Sequence, residues 1–396
     1  MIDLMPTRER QLAATLDALQ ETGVPLVQRA GEGYLPAGYN DDPGLYLVVP
    51  WIARTFGLSI QQAVDTFFLA VIVLAIACSL VGLWKWTQRV PTRVYGTVVI
   101  TLLGYAAMRI GDVYILAYAV PVAVVPWILL LTRRHASQRG LLVFAPLAGL
   151  LIGGAHLVRS HSGTAVVLLF LILVLGAHAA RARKLAAIAL LLAGLLATQA
   201  AMGYFVGQRD EFLVSQSGAR DPYALAHPFW HTVYIGFGYT DNPHVEEYAD
   251  AVARDRVEQL EPGTIYFSTR YEEVLRDEVA RLVTSYPGFV LTTLAAKLAR
   301  IAADALLFLN LGLVALLWRR PPRRVMFAFA VSGAFAALPG ILAIPRRDYL
   351  LGLYAFAVLF AVVALDEAWE PAGAWVRRGR SRGEAESGAP CGKDPY

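Results

Sequence analysis

The sequence predicts an all-α polytopic membrane protein with a mainly helical domain on one side of the bilayer. Three observations carry that prediction. The 396 residues are 57% hydrophobic and 17% charged, with a mean hydropathy of +0.49, whereas soluble domains are about a quarter charged. Several apolar runs reach the roughly 18–20 residues that cross a bilayer core of about 30 Å. The long polar stretches fall into an N-terminal segment, one late loop and the tail.

Residues 1–60 form the first segment. The start, MIDLMPTRERQLAATLDALQETG, has no apolar core of a signal peptide. Leu12, Leu16 and Leu19 recur at helical spacing and predict a short amphipathic helix. The stretch GEGYLPAGYNDDPGLYLVVPWIARTFGLS then reads as a loop followed by a short helix at the membrane surface, because Gly44 to Ala53 is too short to span and contains Pro50.

Nine spans are expected after it, at 63–84, 94–111, 113–131, 141–158, 163–180, 185–206, 299–318, 325–343 and 348–366. They divide into a six-helix region (61–206) and a three-helix region (291–366), followed by a disordered tail (367–396). Alternate connections carry Lys85, Arg89 and Arg93, then Arg133, Arg134 and Arg139, then Arg181, Arg183 and Lys184, then Arg319, Arg320, Arg323 and Arg324, with no acid among them. The positive-inside rule makes this side cytoplasmic. Residues 1–60, the turns 109–112, 156–161 and 345–348, and the loop domain 207–290 then lie outside. That loop holds fourteen acids against seven bases in a chain of net charge +4. Export of a polar N-terminus needs either span 63–84 acting as a reverse anchor or a further apolar helix upstream; the second is the expectation.

A pI near 9.0 would elsewhere suggest nucleic acid, but these bases flank apolar runs, where membrane orientation accounts for them. Cys78 and Cys391 have neither the spacing nor the context of a bridge or a metal site. No repeat of 20–50 residues is evident.

The outer side carries the candidate chemistry. Asp41 and Asp42 are adjacent in YNDDPG. Paired carboxylates can hold Mg2+ or Mn2+, or one can act as a general base; the same composition also makes an ordinary turn. Arg109 and Asp112 flank a hairpin between two spans, where ionisable groups either face a cavity or form an interfacial pair. HLVRSHSG places His156, Arg159 and His161 in one turn, suited to an anion or to a snorkelling arginine. His227 and His231 in HPFWH read as part of an aromatic loop. Lys297, Arg300 and Asp304 share one helix face, on which Asp304 can orient Arg300. Arg346 and Arg347 stand in an outer turn against the positive-inside bias, which an anionic ligand would explain.

An outer first loop bearing an acid, the surface helix PGLYLVVPWIARTFGLS, short outer turns and one large late outer domain together resemble the GT-C class of polytopic glycosyltransferases. That class includes the protein mannosyltransferases and the lipid A aminoarabinose transferase. The resemblance implies inverting sugar transfer outside the cytoplasm from a polyprenyl-phosphate donor, often with a divalent ion. The acceptor would be an envelope glycan, lipid or protein, and the setting a bacterial plasma membrane. Asp41 or Asp42 would take the place of the family's catalytic acid, and Asp112, with Arg109, the second acidic turn. Two departures stand out: the family's membrane helix before the first loop is absent, and Pro-Gly follows the acid at once. A transporter of lipid-linked sugars and a non-catalytic envelope assembly partner are the alternative functions.

Overall fold

The structure, a computed structural model, describes residues 6–38, 42–110, 113–133, 138–217 and 228–386, with side chains up to Trp369. Asp41, Asp112 and His227 lie outside the described residues.

The N-terminal segment is a small layer of its own. Helix α1 (Pro6–Thr22) buries Leu12, Ala18 and Leu19. Strands β1 (Val27–Ala30) and β2 (Gly33–Pro36) pair antiparallel across a two-residue turn, and Gly31 supplies its positive φ of 60°. The sequence was expected to form only a loop there; four-residue strands carry too little alternation to be seen. Helix α2 (Pro43–Phe56) is the expected surface helix, with Pro43 at its first turn and Gly57 closing it in the left-handed conformation.

The membrane region comprises α3 (Ile60–Trp86), α4 (Val90–Ile110), α5 (Ile115–Leu131), α6 (Gln138–Val158), α7 (Thr164–Leu175), α8 (Arg181–Ser217), α12 (Pro287–Leu309), α13 (Leu311–Trp318), α14 (Arg323–Leu342) and α15 (Leu351–Glu386). Each expected span falls on one or two of these helices, yet the number nine is not sustained. Five of the described helices, α3, α6, α8, α14 and α15, are long and apolar enough to cross, and a sixth span results if α12 and α13 count as one. The shortfall has local causes. Helix α7 has 12 residues, about 18 Å of rise against a core of about 30 Å. Helix α5 has 17 residues and two internal prolines. Helix α4 carries Arg93 and Arg109 among threonine, glycine and tyrosine. Helices α12 and α13 meet at 74°, at Asn310, whose φ is +33°. The chain is an integral membrane protein on these apolar helices.

Helices α5 and α15 are the centre of the bundle: Ile115, Tyr118, Val122, Val125 and Ile128 of the one and Leu351, Tyr354, Val358 and Val362 of the other are buried. Glycines let α6 and α8 touch, since a Cβ at Gly149 would lie 2.2 Å from the Leu191 carbonyl oxygen. Two helices outrun their expected ends. Helix α8 continues to Ser217, where Phe212 packs edge-on against Tyr34 at 5.2 Å and Leu213 is buried with Ala18 and Val27. Helix α15 continues to Glu386.

The loop domain contains α9 (Phe229–Gly236), α10 (Asp250–Leu260) and α11 (Thr269–Ser285). Tyr271, Leu275, Val279 and Leu282 of α11 are buried on one face and pack with Tyr234, Ile235 and Val257. The pattern Thr269-Arg-Tyr-Glu272 suggests a capping box, but the cap is Ser268, whose Oγ accepts from the Tyr271 amide at 3.2 Å. Glu272 is thereby released for a tertiary contact. Its carboxylate accepts from the amides of Trp230 at 2.6 Å and His231 at 3.2 Å, capping α9 from another helix.

Candidate functional site

A cavity of about 320 Å³ opens at the end of the bundle away from the arginine-rich connections. Three turns and the loop domain supply its walls. Tyr114 leads into α5, residues 159–162 join α6 to α7, Tyr349 precedes α15, and Phe229, Thr232 and Val233 come from α9. The lining has two characters. Arg159, His161, Ser162, Thr164, Thr232 and the two tyrosines are polar, whereas Phe335, Leu338 and Leu342 of α14 and Phe356 of α15 are apolar. Such a space accepts a molecule with a polar head and an apolar body.

Arg159 is fixed by an aromatic chain. Its Nη2 donates to the Tyr114 hydroxyl at 2.7 Å, and the guanidinium lies 4.6 Å from that ring's centre. The Tyr114 ring meets Tyr349 edge-on at 4.8 Å. The Tyr349 and Tyr248 hydroxyls are 2.8 Å apart, and burial raises the Tyr248 pKa, so it stays a neutral hydrogen-bonding phenol. Arg346 lies over Tyr349 at 5.7 Å and pairs with Asp348 at 2.9 Å. Residues from positions 114, 159, 248 and 346–349 thus form one cationic, phenol-rich surface. Ser162 adds a buried hydroxyl with no hydrogen-bond partner among the described residues, a group that a ligand or water must satisfy. His161 holds φ at +73°, a conformation that a non-glycine residue adopts only where its surroundings impose it.

The other expected site residues disperse. His156 sits behind the 159–162 turn with Nε2 3.4 Å from Thr164 Oγ1. Lys297 is buried and donates from Nζ to the Ile341 carbonyl at 3.0 Å. It thereby braces the end of α14 and takes no part in the lining. Arg300 lies 3.4 Å from Asp304, as expected for that helix face, and Asp304 also accepts from the Tyr354 hydroxyl at 2.7 Å. Arg109 and Arg347 are exposed, outside the cavity wall.

Asp42 has no exposed surface and is bound to Arg8, Nη2 to Oδ2, at 2.7 Å. A carboxylate already neutralised by a guanidinium is a poor ligand for a divalent cation, and among the described residues no three His, Cys, Asp or Glu side chains are grouped for a metal. Asp41, the other half of the expected Mg2+ or Mn2+ site, lies outside the described residues. Asp42 is nevertheless close to the cavity wall in chain terms. A Cβ at Gly44 would lie 2.7 Å from the Leu157 carbonyl carbon, so the start of α2 abuts the backbone two residues before Arg159. The structure brings the start of α2 and the end of α6 side by side.

Sequence reasoning missed Tyr114, Tyr349, Tyr248 and Thr232. A signal existed for two of them: Tyr114 and Tyr349 each follow an outer acid, in GDVY and RRDY. Tyr248 and Thr232 are brought in only by the fold of the loop domain. There His231 is buried, with Nδ1 2.8 Å from the Tyr271 hydroxyl and Nε2 3.2 Å from Asp250. Hydrogen bonding to His231 holds the Asp250 carboxyl below its usual range. The histidine thus ties α9 to α10 and α11.

No protein-family model and no curated protein matches the chain. Among solved structures it is similar to the crystal structure of ArnT from Cupriavidus metallidurans in the apo state. The identity is 13% and the TM-score 0.42, over 93% of this chain and 73% of that one. A likeness at that level carries no argument about fold or function.

Proposed function

We propose that the chain is a membrane glycosyltransferase that moves a sugar from a polyprenyl-phosphate donor to an acceptor on the outer side of a bacterial plasma membrane. The observation that supports this reading is the position of Arg159: a guanidinium held by Tyr114 at the polar end of a cavity whose other walls are apolar. The guanidinium matches a phosphate and the apolar walls match a lipid chain.

The chemistry needs few protein groups. The acceptor hydroxyl oxygen bonds to the anomeric carbon while the bond from that carbon to the phosphate oxygen breaks, with inversion. The bond electrons pass to the phosphate, where Arg159 stabilises the charge, with Tyr114 and Tyr349 as hydroxyl donors. The acceptor proton passes to a carboxylate. Arg8 occupies Asp42, so Asp41 is assigned that role, with Asp42 fixing the turn. The catalytic role implied for Asp112 and the anion-binding role suggested for Arg346 and Arg347 are secondary to these. The acceptor is an envelope glycan, lipid or protein.

The test is donor-lipid binding and sugar transfer by purified protein in nanodiscs. Arg159→Ala should weaken binding of a polyprenyl phosphate roughly 10- to 150-fold, the equivalent of about 1.5–3 kcal/mol for a hydrogen bond to a charged group. Asp41→Asn should leave binding near wild type and remove turnover. Wild-type protein that binds no polyprenyl phosphate would overturn the reading in favour of an envelope assembly partner. Binding and release across the bilayer without transfer would favour a transporter.

A further inference from the structure

A second cavity lies at the opposite, arginine-rich end of the bundle. It measures about 90 Å³ and is lined by residues of α3, α5, α7, α14 and α15. Its floor is apolar: Leu129 of α5, Leu173 of α7, Val325 of α14 and Val363 of α15. Its rim carries Arg133 and Arg324, which are 191 residues apart in the chain. At about 30 Å³ per water, the space suits a single phosphate group and not a whole sugar headgroup.

Both guanidiniums are held in place by neighbours. Arg133 lies over the Trp86 ring at 5.0 Å, and its nearest acid is Asp366 at 4.0 Å. Arg324 spends one nitrogen on the Gly176 carbonyl, out of five N–H donors. The acids of this end have other partners besides Arg133. Asp366 accepts from the Gln88 amide at 3.1 Å. Glu367, which also lines the cavity, faces Arg319 at 3.9 Å. Arg319 and Arg320 follow in the same connection, both exposed. Basic pockets between membrane helices at the cytoplasmic surface bind the phosphates of anionic lipids.

We infer that Arg133 and Arg324 hold the phosphate of an anionic phospholipid from the leaflet at this end. The lipid is a bound component at the bundle's junction of α5, α7, α14 and α15. It is separate from the donor of the proposed transfer reaction, which would occupy the other end.

The experiment is native mass spectrometry of full-length protein released from nanodiscs of phosphatidylglycerol or phosphatidylcholine, with lipid titrated back. The wild type should retain one phosphatidylglycerol more firmly than phosphatidylcholine. In the Arg133→Gln/Arg324→Gln double variant that preference should fall roughly tenfold or more, whereas Arg320→Gln, an exposed arginine off the cavity, should keep it. Should the double variant not fold, the paired lysine variants keep the charge and lose the planar fork and the stack on Trp86; an intermediate preference then supports the site. An unchanged preference in either set overturns it. So does displacement of the lipid by excess inorganic phosphate alone, which would make this a site for a free anion.

Discussion

The two ends of the bundle set their cations against different aromatic partners. At the cavity end, Arg159 rests on Tyr114 and Arg346 on Tyr349. At the arginine-rich end, Lys85 lies over Trp127 at 5.4 Å, Arg93 over Trp84 at 5.8 Å and Arg133 over Trp86 at 5.0 Å. Tyrosine brings a hydroxyl that can pass from one hydrogen bond to the next, so the cavity end becomes a connected polar surface. Indoles bring a broad apolar face with one donor, which suits anchoring at a membrane interface. The two ends thus differ in the aromatic neighbours of their cations and not only in the number of cations.

The comparison breaks outright if the ends are on the wrong sides. A reporter fused after Pro262 should be active only outside the cytoplasm, and one fused after Pro321 only inside, an all-or-none difference. The reverse pattern would remove the proposed location of the site.

The next largest effect is expected at Arg8. Arg8→Ala leaves the buried Asp42 carboxylate without its guanidinium, and losing one partner of a buried pair costs about 3–5 kcal/mol. Thermal unfolding in detergent should register that loss. A change near zero would mean that water reaches Asp42 and that the carboxylate is free to act on substrate.

A hydroxyl-only change sharpens the contrast between phenol and indole. Tyr114→Phe keeps the ring under Arg159 and removes its hydrogen bond, so donor binding should weaken by about 0.5–1.5 kcal/mol. Trp86→Phe, at the other end, should leave transfer unchanged. Equal effects of the two substitutions would show that both ends merely anchor.

The smallest effect concerns pH and the loop domain. Hydrogen bonding to Arg281, with Arg256 close by, holds the Glu278 carboxyl below its usual range. A depressed carboxylate stabilises the fold above its unfolded pKa of about 4.3, and that stability is lost as pH falls through the lower folded value. Urea unfolding of wild type should therefore weaken below that pH more steeply than that of Glu278→Gln. Parallel pH profiles would show the Arg256–Glu278–Arg281 cluster to be energetically neutral.

What the sequence made legible follows from the range of each signal. Leu12 and Leu19 of α1 and the Tyr271 to Leu282 face of α11 were readable because helical periodicity is local. Each span lay on helix for the same reason, but apolar length alone could not reveal the 74° bend at Asn310 or the brevity of α7. The site was legible only as single turns. Arg159 and His161 were picked out and do line the cavity, but Lys297 faces inward to the Ile341 carbonyl, a direction that helical spacing does not specify. Glu272 shows the same limit: its distance from Ser268 and Thr269 suits local capping, and only the fold delivers it to the amides of α9.

That contact has a practical corollary for anyone building chimaeras. Residues 207–290 look like a cassette in the sequence, yet α9 is shared property. Thr232 and Val233 line the cavity, while His231, Tyr234 and Ile235 are buried in the loop domain, and Glu272 closes the helix from forty residues on. A graft exchanged at both ends of the loop would import a foreign cavity wall. Splicing after Tyr239 would keep the native wall but strand Trp230 and His231 without their carboxylate. The workable seam is one that preserves Glu272 together with α9, so the two must be inherited, or transplanted, as a pair.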